Sequence, residues 1–158
     1  DRTMKILSYF LRRAEAKSNF DDFLKSPMMF AQVYGGAPLH LPDHKNCFLP
    51  DIYFYFNGNQ IAYIHSISLS LDKPIAVIGH FAVDVGLERN GIGRAVATSF
   101  FREINKLYSI DTLVFSERST RYHEVYPLFF ERLGAHPVSV QHQAIPDWYW
   151  RYSTLPIE

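Results

Sequence analysis

From Val83 to Ala95 the chain reads Val-Asp-Val-Gly-Leu-Glu-Arg-Asn-Gly-Ile-Gly-Arg-Ala, a strand-like run passing through glycines into a helical pattern. Glycines at such a junction let the main chain approach a ligand closely. The N–H groups and positive dipole end of the new helix attract a phosphate. The chemistry expected here is therefore anion binding by backbone. A dinucleotide fingerprint does not fit, because it needs Gly or Ala three residues after Gly93, where Val96 stands, and a first strand in a βαβ unit. The nucleotide P-loop fails as well: spacing from Gly86 reaches Gly91, but Ile92-Gly93 follow in place of Lys-Ser/Thr. His40 and His44 have the spacing of a helical zinc pair, yet Pro42 lies between them and no third ligand is evident, so no metal is expected. Cys47 is the sole cysteine and reads as an ordinary thiol, with no disulfide framework and no cysteine metal site. His65, His136 and His142 fall on strands or turns without evident chemistry.

The elements around the glycine turn follow from periodicity. Ile6–Arg13 reads as a strand, and Ser18-Asn19 before Phe20, Phe23 and Leu24 reads as a capped helix. Four prolines and Gly35-Gly36 make Pro27–Pro50 a long irregular segment of the kind that covers a site. Ile52–Phe56 and Gln60–Leu71 flank Asn57-Gly58-Asn59, a hairpin turn, with His65 placed on the apolar face of the second arm. A third strand spans Ile75–Val85. The period then changes: Ile92, Val96, Phe100, Ile104 and Leu107 form the stripe of an amphipathic helix. Thr112–Ser116 is a short buried strand. A second helix spans roughly Glu124–Leu133 and stops at Gly134, while Pro127, which belongs in a first helical turn, would place its regular start near Tyr126. Val138–Ala144 and Trp148–Thr154 close the chain as a β pair, and Trp148-Tyr149-Trp150 reads as core or as a dimer surface.

Composition bounds the partners. The 158 residues suit one domain over 1–158, and 16 basic against 16 acidic residues give no net charge, which argues against a nucleic-acid or charge-driven membrane partner. With 47% hydrophobic and 20% charged residues the chain can bury a core. No run of about 18 apolar residues and no signal-peptide core is present, so a soluble, cytoplasmic protein is expected.

Glu88-Arg89-Asn90-Gly91-Ile92-Gly93, directly after a strand and followed by Arg94-Ala95-Val96, resembles the Q/R-x-x-G-x-G/A motif of the GNAT acetyltransferase superfamily. Arg12-Arg13-Ala14 before an acidic helix and Phe129-Phe130-Glu131-Arg132-Leu133-Gly134 resemble other parts of that family, so the likeness covers nearly the whole chain. It implies an α+β fold, layered α/β/α: a mixed, mostly antiparallel central sheet of about six to seven strands, the fourth and fifth splayed, flanked by helices. It also implies an acyl-CoA-dependent N-acyltransferase with acetyl-CoA as cosubstrate. Arg89, Asn90, Gly91, Ile92, Gly93, Arg94 and Ala95 would line the pyrophosphate site, and Phe81, Val83 and Val85 the pantetheine arm. The Val83 N–H would polarise the thioester carbonyl. His123 aligns with a residue that contacts CoA.

Two positions depart from the pattern, Glu88 at the Gln/Arg site and Phe130 at the site of the tyrosine that protonates the departing thiolate. Tyr126, one turn earlier, becomes the candidate acid. His80 is the candidate base for the acceptor amine, with Glu117 and His123 as alternatives. The acceptor is a small-molecule or protein amine, in a pocket shaped by residues 27–50 and the aromatics of 48–56. A homodimer is compatible. A non-catalytic CoA-binding module and a transferase of longer acyl chains are the rival readings.

Overall fold

A computed structural model of the chain describes residues 14–33, 46–84, 90–117 and 126–157. The expected strand Ile6–Arg13 lies outside them. Helix α1 spans Ala14–Lys25, so Ser18 and Asn19 sit inside it rather than at its cap. Ala14-Glu15-Ala16-Lys17 are strong helix formers and carry the helix past the capping signal. A single 3-10 turn, Pro27–Phe30, follows, with Pro27 in the first turn, where its missing N–H costs nothing.

The segment expected to be irregular supplies two short strands, β1 (Ala31–Val33) and β2 (Asn46–Leu49). The rest of the sheet comprises β3 (Ile52–Phe56), β4 (Asn59–Ser70), β5 (Ile75–Val83), β6 (Thr112–Phe115), β7 (His136–Val138) and β8 (Asp147–Arg151). The spatial order is β1-β3-β4-β5-β6-β8-β7, with β2 also paired to β4. All pairs are antiparallel except β5–β6, joined through helix α2 (Ile92–Tyr108). This is a mixed, mostly antiparallel α+β sheet of eight strands with three helices among the described residues, one or two strands more than expected because of β1 and β2.

Local chemistry explains most boundaries. Asn57 and Gly58 both have positive φ, 53° and 80°, as a tight hairpin between β3 and β4 requires. Along α2, Ile92, Val96, Phe100, Ile104 and Tyr108 are buried, so Tyr108 takes the last position of the stripe and Leu107 is exposed. Helix α3 (Tyr126–Leu133), with the residues just before Tyr126 outside the described ones, ends with the Ala135 N–H bonded to the Phe130 carbonyl, 3.0 Å. The expected strand Val138–Ala144 is instead the short edge strand β7. Pro137 suits an edge, and the polar Gln141-His142 turn, with its Gln143 N–H bonded to the Val140 carbonyl at 3.1 Å, ends it.

A transverse crease decides which side chains face the site. β2 and β3 lie end to end along β4 in one register, joined by Pro50-Asp51. At that level the buried parity shifts in every strand: Leu49 gives way to Ile52, Ile67 to Ile64, and Ile78 to Phe81. Ser66 adopts φ 57°, and its N–H donates to the Asp51 carboxylate, 3.2 Å. Opposite it stands Gly79, where a Cβ would come within 2.7 Å of the Ser66 Cβ. The crease corrects the expected placement of His65. It lies with Tyr63 on the face away from Ile64 and Ile67, half-buried and stacked on Tyr63 at 4.1 Å.

The helices share the other face. Phe20 and Phe23 of α1 meet Phe56 at 5.7 and 6.0 Å, and Phe101 of α2 meets Trp150 at 5.0 Å. Phe130 of α3 stacks on Phe115 at 4.4 Å and tilts against Trp148 at 5.7 Å. Trp148 and Trp150 are therefore core residues. No described helix is long and apolar enough to cross a membrane.

Candidate active site

The site begins where two strands part. β5 pairs with β6 only from Ile75 to Ile78, and the Ser116 N–H makes the last link, to the Ile78 carbonyl at 2.8 Å. β5 then continues through Val83, held by β4 alone. The Asp84 N–H donates to the Ile61 carbonyl at 2.9 Å. By antiparallel alternation Ala82 and Asp84 bond toward β4, while Phe81 and Val83 turn their N–H and C=O groups to the side β6 has left. Among the described residues no strand pairs with that side, an edge suited to an extended ligand.

The N-terminus of α2 abuts this edge. Gly91 precedes the helix at φ 82° with no side-chain cap, and the first helical bond runs from the Ala95 N–H to the Gly91 carbonyl, 3.0 Å. The N–H groups of Ile92, Gly93 and Arg94 therefore lie outside the ladder and gather at the positive end of the helix dipole. A Cβ on Gly93 would come within 3.6 Å of Val83 Cγ2, and within 3.0 and 3.2 Å of the Phe129 ring. The missing side chain of Gly93 is thus turned inward, between α2 and α3, and not toward a phosphate. Arg94 brings its backbone N–H to the fan, while its guanidinium donates to the Arg132 carbonyl at 2.5 Å, near the negative end of α3.

Tyr126 closes the third side. It is the first residue of α3, half-buried, with its ring flat on Phe130 at 5.4 Å and 14°. Its hydroxyl donates to the Phe81 carbonyl at the open edge. Phe129 stacks on Phe81 at 5.7 Å and stands edge-on to Tyr126 at 6.5 Å. Phe130 is 2% exposed and packed in the core.

His80 and Glu117 meet on the opposite face. The parallel register that sets Ile78 beside Phe115 carries two residues further to bring His80 Nδ1 within 3.6 Å of Glu117 Oε1. The His80 side chain is 54% exposed and that of Glu117 10%. Such a pair can orient an imidazole and balance a proton that it takes up. Directly across β4 from His80 lies His65, whose Nε2 is buried without a hydrogen-bond partner among the described residues. Burial holds the His65 pKa below the ordinary imidazole value, Asp51 opposing that shift and His80 adding to it. Tyr53 completes the cluster, edge-on to His65 at 5.1 Å.

The structure thus brings Phe81, Val83, Gly93 and Tyr126 together around one opening, with Asn90, Gly91, Ile92, Arg94 and Ala95 in the turn and first helical residues beside it. His80 and Glu117, weighed in the sequence as alternatives, stand as a pair. Val85, Glu88, Arg89, His123, His40 and His44 lie outside the described residues. Sequence reasoning missed Phe129, whose role shows only in the packing of α3 on α2, and the cluster of Tyr53, Tyr63 and His65. Alternation of aromatic and polar residues was its only sequence signal. Among the described residues no group of three His, Cys, Asp or Glu side chains converges as on a metal ion. Burial raises the Cys47 pKa, in keeping with an inert thiol.

No known family profile and no curated protein sequence matches the chain. Solved structures do. The PaiA N-acetyltransferase from Thermoplasma acidophilum, crystallised in complex with coenzyme A, is 13% identical, with a TM-score of 0.52 over 65% of this chain and 60% of that one. An acetyltransferase of the GNAT family from Staphylococcus aureus Mu50 is 14% identical, with a TM-score of 0.51 over 65% of this chain and 66% of that one. The match spans less than two thirds of either relative. The chain shares with these structures an open mixed sheet with one parallel pair at a splay. It is the fold of the GNAT N-acetyltransferases.

Proposed function

We propose that the chain is an N-acetyltransferase that moves an acetyl group from acetyl-CoA to a primary amine by direct attack, working in the cytoplasm. The observation that carries this reading is the junction at Val83 and Gly93, where an open strand edge meets a helix N-terminus. An edge suits an extended amide-bearing arm and a helix N-terminus suits a pyrophosphate, so one ligand carrying both fits the junction. The likeness in fold to a protein solved with coenzyme A supports the same ligand.

Each residue then has a task. The N–H groups of Ile92, Gly93 and Arg94 take the pyrophosphate, and the edge at Phe81 and Val83 takes the pantetheine amides. The Val83 N–H faces the thioester carbonyl and strengthens its hydrogen bond as negative charge develops. His80, oriented by Glu117, accepts a proton from the acceptor's ammonium, freeing the nitrogen lone pair to attack the carbonyl carbon. The C–S bond breaks, the acetyl group remains on nitrogen, the departing thiolate takes a proton from the Tyr126 hydroxyl, and the second proton shed by the nitrogen passes through solvent to restore the phenol. In this reading the acceptor, a small-molecule or protein amine, approaches on the face opposite the helices, where His80 sits. Calorimetric titration with acetyl-CoA, followed by an amine panel with thiol detection, tests the reading. Absence of binding at millimolar ligand sinks it, and binding without thiol release leaves only a CoA-binding module.

A further inference from the structure

The strand edge proposed for the pantetheine arm already has an occupant. The Phe81 carbonyl accepts the hydroxyl of Tyr126, while no β6 residue pairs with Phe81 or Val83. An amide-bearing ligand binds such an edge through main-chain-like hydrogen bonds, and in strand register its N–H approaches the Phe81 carbonyl from the side the phenol occupies. The two donors compete for one acceptor.

The local structure lets Tyr126 yield. Its ring rests on one side against Phe130, itself fixed on Phe115 at 4.4 Å, and the residue remains half-buried rather than enclosed. A change of its side-chain rotamer breaks no helical hydrogen bond.

We infer that Tyr126 is a latch on the cosubstrate edge: its hydroxyl fills the Phe81 carbonyl in the free chain, an amide N–H of the arriving arm displaces it, and the released phenol becomes available to the thioester sulfur. This rests on the acyl-CoA reading above. Admission of the cosubstrate and delivery of the acid then become one side-chain movement, so the hydroxyl weakens binding while it serves turnover.

Tyr126→Phe separates these effects, because it keeps the ring on Phe130 and removes only the hydroxyl. The non-reactive thioether S-ethyl-CoA should bind the variant about five-fold tighter, the equilibrium weight of one net hydrogen bond. Adenosine 3′-phosphate 5′-diphosphate, which has the phosphates without the amide arm, should bind both chains equally. Turnover with acetyl-CoA and an amine should fall in the variant. A merely structural role moves all three readouts downward, and a purely acidic role leaves both affinities unchanged. Equal or weaker S-ethyl-CoA affinity in the variant, with fragment binding intact, overturns the latch and leaves the acyl-CoA reading standing. Failure of both probes to bind either chain overturns both.

Discussion

Replacing Gly93 by alanine tests whether this glycine serves the ligand or the fold. The added Cβ would stand 3.0 Å from Phe129 Cε1 and 3.2 Å from Cζ, against about 3.5–4.0 Å for comfortable carbon contacts. Phe129 must retreat by about half an ångström, and it has little room. It is stacked on Phe81 at 5.7 Å and neighbours Phe130 at 5.6 Å and Tyr126 at 6.5 Å. Overpacking of this kind costs about 1–3 kcal/mol. Alanine returns up to about 1 kcal/mol of helix propensity, and less at the start of a helix. A net loss of about 1 kcal/mol follows, a fall of about 2–4 °C in Tm for a chain of this size. Urea unfolding with unchanged slope measures it, and Phe129→Leu supplies the control. If the clash is the cause, the double variant should be more stable than the sum of the single changes by about 1 kcal/mol. A Gly93→Ala chain as stable as the parent, or strict additivity with Phe129→Leu, would refute the packing argument and return Gly93 to the phosphate.

Gly91→Ala should behave differently, because φ 82° strains any side chain while a Cβ there meets nothing within 4 Å. We expect about 1 kcal/mol of lost stability that Phe129→Leu does not relieve, together with weaker coenzyme A binding by calorimetry. Glu117→Gln keeps the shape beside His80 and removes the charge. Since His80 is half in solvent, screening limits the effect to a drop of about 3- to 10-fold in kcat/KM for the amine, with coenzyme A affinity unchanged. For His65 the folded pKa lies below the unfolded value, so the unfolded chain binds the proton first. Its contribution to stability is complete above about pH 6.5 and is lost as pH falls through the folded value. Urea midpoints between about pH 7 and pH 5 should decline more in the parent than in His65→Gln, and parallel declines would exclude His65 as the cause.

What the sequence reveals is what local chemistry controls. The Asn57-Gly58 turn, the stripe of α2 and the end of α3 at Gly134 all follow from signals a few residues long. β1 and β2 are too short to show a period, and their partners lie on distant β3 and β4. The crease defeats alternation, because Ser66 and Gly79 shift parity together and so leave the pairing register intact. That shift is why His65 reads as a core residue in sequence and lies off the core in the fold. His80 and Glu117 are brought together only by a parallel register, which no pattern within either strand encodes. The glycine turn is legible as an anion site from its residues, but the inward direction of Gly93 depends on Phe129, on an element still to come in the chain.

The crease has a consequence for how this site tolerates change. On β5 it assigns Phe81 to the core and to the open edge, and His80 to the opposite face, by a half-step in strand phase. The arrangement of the candidate site is therefore held in strand phase as well as in residue identity. Loss of a single residue from β5 near Gly79 would turn His80 inward and Phe81 outward while preserving every side chain of the candidate site. Point substitutions can adjust this centre one group at a time, whereas a one-residue deletion would exchange its inside for its outside.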